Sequence, residues 1–581
     1  MCVFPIPGAL PDTARLVKAR NGEPSLTLNN KYVHSAYDPG REAEYVVSPF
    51  REAEAGVLIG YGLGYVAAAW MRERPRPLFI VELIPGLLAQ ETANENLLAL
   101  APCCCVSGTE IRKQEEYFTD FLRGLGIQTI KKIAWMETPG ITAQAPALAK
   151  TALRFLKQAF EAHLTNIYTE LEFERLWFRN ILRNAFLVPQ AKPFAALRGI
   201  LRESAVVIIG AGPSLDDEIA TLREIRKRSH AVLMACDTAL PSLLLAEIAP
   251  DIVVSLDGQI HNFHDFCGCE ALADMRTIFL ICDVSVYHTI PRLPFGEVYF
   301  FETADIREID GRQAIISHPL TLRIKQICGE LGVARSGGNV GTTALELARV
   351  MGARLILFSG MDYAYPGGVS HARASAGMTR LCLRETRTSG ALCAMHKSLR
   401  SRALCMIPDN QNNVVASDII LRKYADWTAA AYLEAKDAGD TAPAWYTLSG
   451  RGAEIPGVRC IGADEALDLL AGFSPPPGDV FRAHTPSPES APSPKMLALL
   501  QTMRDLERAI TEVLGSARPL PDPAQVLQLL EFYPYLRRGY GAQLMHTEKT
   551  GDVSFLLGEV HFQLERILKI LRLNLTGKSA G

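Results

Sequence analysis

Several things are missing from this chain of 581 residues, and each omission removes a class of function. No apolar run reaches about 18 residues, so no segment reads as a membrane-spanning helix. Lys and Arg number 60 against 63 Asp and Glu, a net charge of −3, so no basic excess marks a nucleic-acid partner. No two aspartates stand as Asp-x-Asp, the pair with which one large class of transferases holds a cation against a diphosphate. A P-loop is absent too, since Gly577-Lys578-Ser579 lacks the upstream glycine and trails a helical pattern. The 13 cysteines are odd in number, include the clump Cys103-Cys104-Cys105, and never take a paired C-x-x-C spacing. They read as reduced core fillers rather than zinc ligands or a disulfide framework. The first residues, Met-Cys-Val-Phe-Pro-Ile-Pro, lack the basic region and apolar core of a signal peptide, so a cytoplasmic location is expected.

What is present is organised around Ser204 to Gly258. Five apolar residues, Ala205 to Ile209, lead into Gly210-Ala211-Gly212-Pro213-Ser214-Leu215, and Asp216, Asp217 and Glu218 open an amphipathic helix. Strand, glycine turn and helix in this order bring amides and a helix dipole to the carboxyl edge of a parallel sheet, where phosphates bind. Two further apolar strands follow, Ala231 to Cys236 ending in Asp237 and Asp251 to Leu256 ending in Asp257; Thr277 to Cys282, ending in Asp283, is another. A second glycine turn, Ser336-Gly337-Gly338-Asn339-Val340-Gly341, precedes a helix, and the strand Arg354 to Ser359 ends at Gly360-Met361-Asp362-Tyr363. Two glycine turns and several strand-end polar groups on one rim suit an activated nucleotide better than a free phosphate.

The expected divisions are 1–144, a smaller Rossmann-like α/β domain; 145–195, a helical connector; 196–472, the central α/β domain; 473–494, a Pro/Ser-rich linker; and 495–581, an all-helical C-terminal domain suited to protein contact, including self-association into a homo-oligomer. In the first domain, Gly60-Tyr61-Gly62-Leu63-Gly64 follows a strand, and Leu78 to Val81 ends in Glu82, a pattern shared with S-adenosylmethionine and dinucleotide sites. It reads either as a nucleotide-fold relic and interaction module or as a second ligand site. Asn166, Trp177, Asn180 and Asn184 recur on related faces of the connector, either as packing groups or as the lining of an acceptor groove. The segment 372–415, with Arg373, Arg380, Arg384, Arg387, Arg400 and Arg402, has weak periodicity and reads either as a mobile, basic lid whose charges could meet a ligand's carboxylate and phosphate or as a solvated loop.

The phrases at 210–215, 248–257, 336–348 and 358–365 together resemble the motility accessory factor family, glycosyltransferases that place sialic-acid-like nonulosonic acids on flagellin Ser and Thr. The Gly-Ala-Gly-Pro-Ser-Leu loop and Ser-Gly-Met-Asp-Tyr are also similar to parts of sialyltransferases that use a CMP-activated sugar. The phrase His34-Ser35-Ala36-Tyr37-Asp38-Pro39 resembles the family's leading domain. Gly450-Arg451-Gly452-Ala453 departs from the usual form, because Arg451 separates glycines that are adjacent in most relatives. The resemblance implies a sialyltransferase-type central domain, a CMP-nonulosonic acid donor (of the pseudaminic or legionaminic acid type), flagellin as acceptor, and no cofactor or metal. It implies that Gly210, Gly212, Pro213, Ser214, Asp237, Asp257, Ser336, Gly337, Gly338, Asn339, Gly360 and Tyr363 hold the nucleotide. His371, Asp362 and Asp257 are the implied catalytic groups, with His396 the competitor of His371. Gly212→Val is expected to abolish CMP binding and leave the fold largely intact. Archaeal pterin pyrophosphokinases resemble the same central domain, which keeps diphosphate transfer from ATP to a pterin as an alternative, beside a non-catalytic flagellin-binding export factor.

Overall fold

The computed structural model describes residues 11–72, 76–87, 103–107, 117–122, 124–125, 127–303, 305–309, 312–437, 444–476, 494–515 and 564–572. Most of the expected linker and much of the expected C-terminal domain fall outside these residues. The chain forms two compact units, Met1–Glu172 and Phe173–Gly581.

In the first unit, β1 (Ala14–Lys18), β2 (Pro24–Leu28) and β3 (Lys31–Tyr32) form an antiparallel sheet, and α1 (Pro39–Val47) is capped by Asp38, whose carboxylate accepts the Arg41 N–H. A parallel sheet follows, built from β4 (Ala55–Ile59), β5 (Leu78–Glu82), β6 (Cys103–Ser107) and β7 (Ile133–Glu137) in the order β6-β5-β4-β7. Every residue of β4 and β5 is buried, because helices cover both faces of such a sheet and its strands read as unbroken apolar runs. The glycine loop between β4 and α2 (Tyr65–Met71) spends its amides inside the protein. Glu82 Oε2 accepts the N–H groups of Tyr61 (2.8 Å) and Gly62 (2.9 Å), and His34 Nε2 accepts that of Leu63 (2.9 Å). Accepting at Nε2 requires a neutral imidazole there, and burial holds the His34 pKa down to about 4. Burial likewise raises Glu82 to about 7, against the pull of its backbone hydrogen bonds.

The long helix α3 (Pro146–Asn184) packs Ala149, Ala152 and Leu156 into the core of the first unit and Phe178, Ile181 and Leu182 into that of the second. The second unit holds β8 (Lys192–Pro193), β9 (Ala205–Ile209), α4 (Leu215–Arg228), β10 (Val232–Cys236), β11 (Ile252–Ser255), β12 (Phe279–Asp283) and β13 (Glu297–Thr303). The hairpin β14 (Asp305–Ile309) and β15 (Arg312–Ile316), α5 (Pro319–Cys328), β16 (Val333–Ala334), α6 (Val340–Val350) and β17 (Leu355–Ser359) come next. Then follow α7 (Ala376–Cys382), α8 (Ala391–Arg400), the hairpin β18 (Leu404–Pro408) and β19 (Val414–Asp418), α9 (Ile419–Asp437), β20 (Ala444–Thr447), β21 (Arg459–Cys460) and α10 (Ala463–Ala471). The segment expected to be a lid or loop is thus two short helices and a hairpin. Its helices bury Met378, Met395 and Leu399 against Tyr365, a spacing too short to stand out in the sequence.

The central sheet runs β16-β13-β12-β11-β10-β9-β17-β20-β21, with β8 beside β13. All its pairings are parallel. Side chains alternate between two cores with the period of a strand: Val206 and Ile208 face one side with Val232, Met234, Ile252 and Phe279, while Ala205, Val207 and Ile209 face the other with Leu233 and Leu222. Strands after β9 proceed outward in one direction, and those from β17 in the other. The crevice between β9 and β17 is therefore the topological switch point. Leu499 and Met503 of α11 (Pro494–Gly515) and Leu564 and Leu571 of the helix 564–572 pack with Leu280, Leu320 and Ile324 into the core beyond β12.

Gly62 has φ +65°, and a Cβ there would overlap the His34 ring. Gly62→Ala should cost at least about 1 kcal/mol from left-handed strain alone, with a further loss that His34→Ala partly relieves. Urea unfolding of both single variants and the double variant measures this, and strictly additive losses would show that the His34 ring does not fill the loop.

Candidate active-site cleft

A cleft of about 430 Å³ opens at the switch point, on the carboxyl edge of β9, β10, β11 and β17. Its size lies within the ordinary range for small-molecule sites. The loops after β9 and β17 are drawn together by a ladder of hydrogen bonds. Gly210 N–H donates to Ser359 O (2.8 Å), Gly212 N–H to Gly360 O (2.8 Å), and Ser214 N–H to Asp362 Oδ2 (2.9 Å). From the other side Glu218 Oε2, one turn into α4, accepts Ser359 Oγ–H (2.6 Å) and Gly360 N–H (2.9 Å). A Cβ at Gly210 would stand 2.6 Å from Gly360 O, and one at Gly212 2.7 Å from the same oxygen and inside contact with Asp362. These glycines are required by the approach of two loops. The expectation that Gly212→Val leaves the fold intact is corrected accordingly, because its branches would push backbone apart.

Gly210, Gly212, Asp237, Asp257, Asn339, Gly360, Asp362, Tyr363 and His371 all line the cleft, brought together from positions scattered over 160 residues of sequence. Pro213, Ser214, Ser336, Gly337 and Gly338 are not among its lining residues. Ser214 Oγ donates to Ser449 Oγ (3.0 Å), and Ser336 Oγ accepts Gly338 N–H (3.1 Å). Trp427 and Tyr424 of α9 press on Gly337 and Gly338, where a Cβ would stand 2.6 and 2.8 Å from their rings. Asn339 caps α6, its Oδ1 accepting Thr342 N–H (2.7 Å), and Val340 and Gly341, whose amides at the helix start have no acceptor within the helix, line the cleft. Tyr363 has φ +47°, a conformation costly for a non-glycine residue, and its hydroxyl is turned onto Thr428 (3.1 Å).

Arg380, one of the arginines read in the sequence as a basic lid, lines the cleft, and so do Thr238, His261, Asn262 and Asp265, which were not singled out in the sequence. Most sit on short turns after β10 and β11, where no periodicity marks them; only the direct continuation Cys236-Asp237-Thr238 offered a signal. Three of the lining carboxylates lack a partner on one oxygen among the described residues: Asp237 Oδ2, Asp265 Oδ1 and Asp362 Oδ1. Burial raises the pKa of Asp237 and Asp362 to about 6 and that of Asp265 to about 7, the last also through the neighbouring Asp237 charge. Arg380 is the one Lys or Arg among the lining residues, held by His261 O (3.3 Å) and His264 Nδ1 (3.1 Å). His371 stands at the exposed mouth with Nδ1 3.1 Å from Ser370 Oγ. The cleft walls desolvate its ring, and Arg402 and Arg380 repel its charged form, so its pKa lies below 6.5 and the ring is neutral at pH 7. His396 lies under Gly368, with Nε2 3.1 Å from where a Cβ would be, and is not a lining residue.

An open-edged parallel sheet with hydrogen-bonding groups gathered at its switch point defines a doubly wound α/β protein. Residues 179–368 match the family model for 6-hydroxymethylpterin diphosphokinase MptE-like proteins. Two uncharacterized proteins of Treponema pallidum are 27% identical over 244 residues (39% of this chain, 59% of the relative) and 26% over 388 (64% and 63%). The chain thus spans about three fifths of the length of these relatives. The 6-hydroxymethyl-7,8-dihydropterin pyrophosphokinase of Methanocaldococcus jannaschii is 39% identical over 83 residues, 14% of this chain and 33% of that enzyme. Among solved structures, the MAf glycosyltransferase from Magnetospirillum magneticum AMB-1 matches 98% of this chain and 96% of its own, with a TM-score of 0.53 and 16% identity. The chain has the fold of that glycosyltransferase, and the resemblance read in the sequence holds at that level. Among the described residues no helix is long and apolar enough to cross a membrane.

The raised carboxyl pKa values give stability a definite pH dependence. Asp237, Asp265, Asp362 and Glu218 have folded values of about 6 to 7 against ordinary values of 3.8 to 4.5. Between those limits the folded protein holds more protons than the unfolded chain, so stability falls as pH rises from about 4 to 7 and levels off above. The apparent Tm should be several degrees lower at pH 8 than at pH 5.5. Asp265→Asn should recover part of the loss, on the order of 1–3 kcal/mol, since each tenfold change in proton affinity is worth about 1.4 kcal/mol. A Tm that rises over this window would mean that these carboxyls are solvated.

Proposed function

We propose that the protein is a glycosyltransferase that moves a nonulosonic acid from its CMP-activated form to Ser or Thr hydroxyls of flagellin, in the cytoplasm. The observation that carries the reading is the extent of the fold match: a glycosyltransferase structure parallels 98% of the chain, whereas the pterin enzyme aligns with 14% of it. The resemblance of the loops at 210–215 and 358–365 to CMP-sugar enzymes supplies the donor, and that to motility accessory factors the acceptor.

The cleft's chemistry fits such a donor. A nonulosonic acid carries a carboxylate and is joined to CMP through a monophosphate ester, so it needs cationic and N–H groups at one end and hydroxyl acceptors at the other. Arg380 and the Val340 and Gly341 amides at the start of α6 meet the anionic groups, with the helix dipole adding to both. The unpartnered oxygens of Asp237 and Asp265, with Asp257 at the rim, accept from ribose, amine or sugar hydroxyls. As the C–O bond to phosphate breaks, charge grows on the CMP oxygens where the donors already stand, which lowers the barrier without reorganisation. Neutral His371 takes the acceptor proton as the acceptor oxygen bonds the anomeric carbon. Its depressed pKa favours this role over donation from a charged ring. The reaction is written without a metal because the sequence lacks an Asp-x-Asp pair.

Ligand binding, product mass and two variants test the proposal. CMP should raise the Tm more than ATP at equal concentration, and coexpression with a flagellin and a nonulosonic acid pathway should add whole sugar units to Ser or Thr, with turnover insensitive to EDTA. Stabilisation by ATP with diphosphate transfer to a hydroxymethyl pterin would hand the site to the other reading. His371→Ala should lower turnover by roughly 10² to 10⁴ with little change in donor affinity. Arg380→Gln should instead weaken donor binding by at least about tenfold, the loss of a charge-assisted pair.

A further inference from the structure

A second cavity, of about 230 Å³, lies along the same carboxyl edge, on the far side of the loop after β11. Leu256 lines it while the next residue, Asp257, lines the main cleft. The wall between them is pinned by Asn180 of α3, whose Nδ2 donates to Gly258 O (2.8 Å) and Ser285 O (3.0 Å). Asn184 holds the next turn through Val284 O (3.0 Å) and Val286 O (2.9 Å). Asn180 and Asn184 are therefore spent on loops, while Trp177 of the same series lines the cavity with Ile181 beside it, and the side chain of Asn166 lies outside the described residues.

The floor is formed where β12 and β13 end. Asp283 is fully occupied, Oδ1 accepting Ser285 N–H (2.6 Å) and Oδ2 Thr303 N–H (2.6 Å). Glu302, 3% exposed, uses Oε2 for Ser317 Oγ–H (3.0 Å) and Lys325 Nζ (3.2 Å), but its Oε1 has no partner. A buried carboxylate oxygen without a donor is costly, and a ligand donor would remove the cost. His318 accepts Leu320 N–H at Nδ1 (3.2 Å), which places its proton on Nε2. Thr303, Thr321 and Ser285 add hydroxyls, and the half-buried Trp177 ring supplies an apolar face.

No Lys or Arg lines the cavity, so an anion finds no partner of opposite charge there. The charge of Glu302 is already balanced by Lys325, which also pairs with Glu330 (3.0 Å), so a cation gains little. The remaining fit is an uncharged molecule with hydroxyl donors on its edge and C–H bonds on its face. The cavity admits one such ring and is too small for a nucleotide. We infer that this cavity is a binding site for a neutral sugar unit, stacked on Trp177 with a hydroxyl donated to Glu302 Oε1. The assignment stands whether or not the main cleft transfers a sugar.

The test uses the full chain and saturation-transfer NMR with methyl glucoside, methyl mannoside and N-acetylglucosamine, each beside a charged counterpart, glucose 6-phosphate or glucuronic acid. At least one neutral ring should bind, and the charged rings at least about tenfold more weakly. Trp177→Ala and Thr303→Val should each weaken the neutral ring by about tenfold or more, while the Tm shift produced by CMP stays as in the parent. Glu302→Gln should act in the same direction; should it fail to fold, the other two variants decide. Absence of binding by all three neutral rings, equal binding of charged rings, or binding that persists in both Trp177→Ala and Thr303→Val would each overturn the assignment.

Discussion

The second unit depends on a seam where two chain segments approach too closely for side chains. Gly210 and Gly212 on one side and Gly360 on the other let β9 and β17 continue their pairing past the end of the sheet, through amide-to-carbonyl bonds of 2.8 Å. Glu218 and Asp362 then lock the seam, one from within α4 and one from the far loop. Burying two carboxylates carries a desolvation cost, which their raised pKa values register. The return is a crevice of fixed width at the only point where the strand order reverses, so that everything placed after β10, β11 and the start of α6 faces the same space.

The sheet was legible because parallel strands buried on both faces read as short apolar runs, and each run here stops at a polar residue: Asp237 after Cys236, Asp283 after Cys282, Asp362 shortly after Ser359. The gathering of nine of the singled-out residues in one cleft follows from that rule alone. What could not be read was the use made of each donor. Gly212 and Ser214 look in sequence like a phosphate cradle, yet their N–H groups answer to Gly360 and Asp362, residues some 150 positions away. Ser336, Gly337 and Gly338 likewise shape the turn under Tyr424 and Trp427 instead of lining the cleft. Asp265 escaped notice because it ends no strand, and Arg380 could be read only as one of several arginines in 372–415, not as the one at the cleft. They come from short helical turns whose few residues give no period to detect.

The two cavities on this edge differ in kind although they share a wall. The main cleft combines orphaned acceptors with a guanidinium and helix-start amides, so it offers both signs of partial charge to one ligand. The smaller cavity offers acceptors, hydroxyls and an aromatic face with its one nearby ammonium already paired. Sequence distance does not separate them, since adjacent residues of one loop line both. The division is made by Asn180 and Asn184, whose side chains act as crossbars under that loop.

The glycine loop of the first unit has a consequence for what could ever bind there. Its amides are held by Glu82 and His34, groups attached to the same folded body, so an incoming phosphate competes with an anion that never diffuses away. A tethered competitor acts at an effective concentration far above that of free metabolites, commonly millimolar or more. A nucleotide phosphate would have to displace both groups to reach these amides. The loop has become the lock of its own sheet, while in the second unit Asp362 holds a single amide of the glycine loop there, that of Ser214, and Gly210, Gly212 and Asp362 still line the cleft.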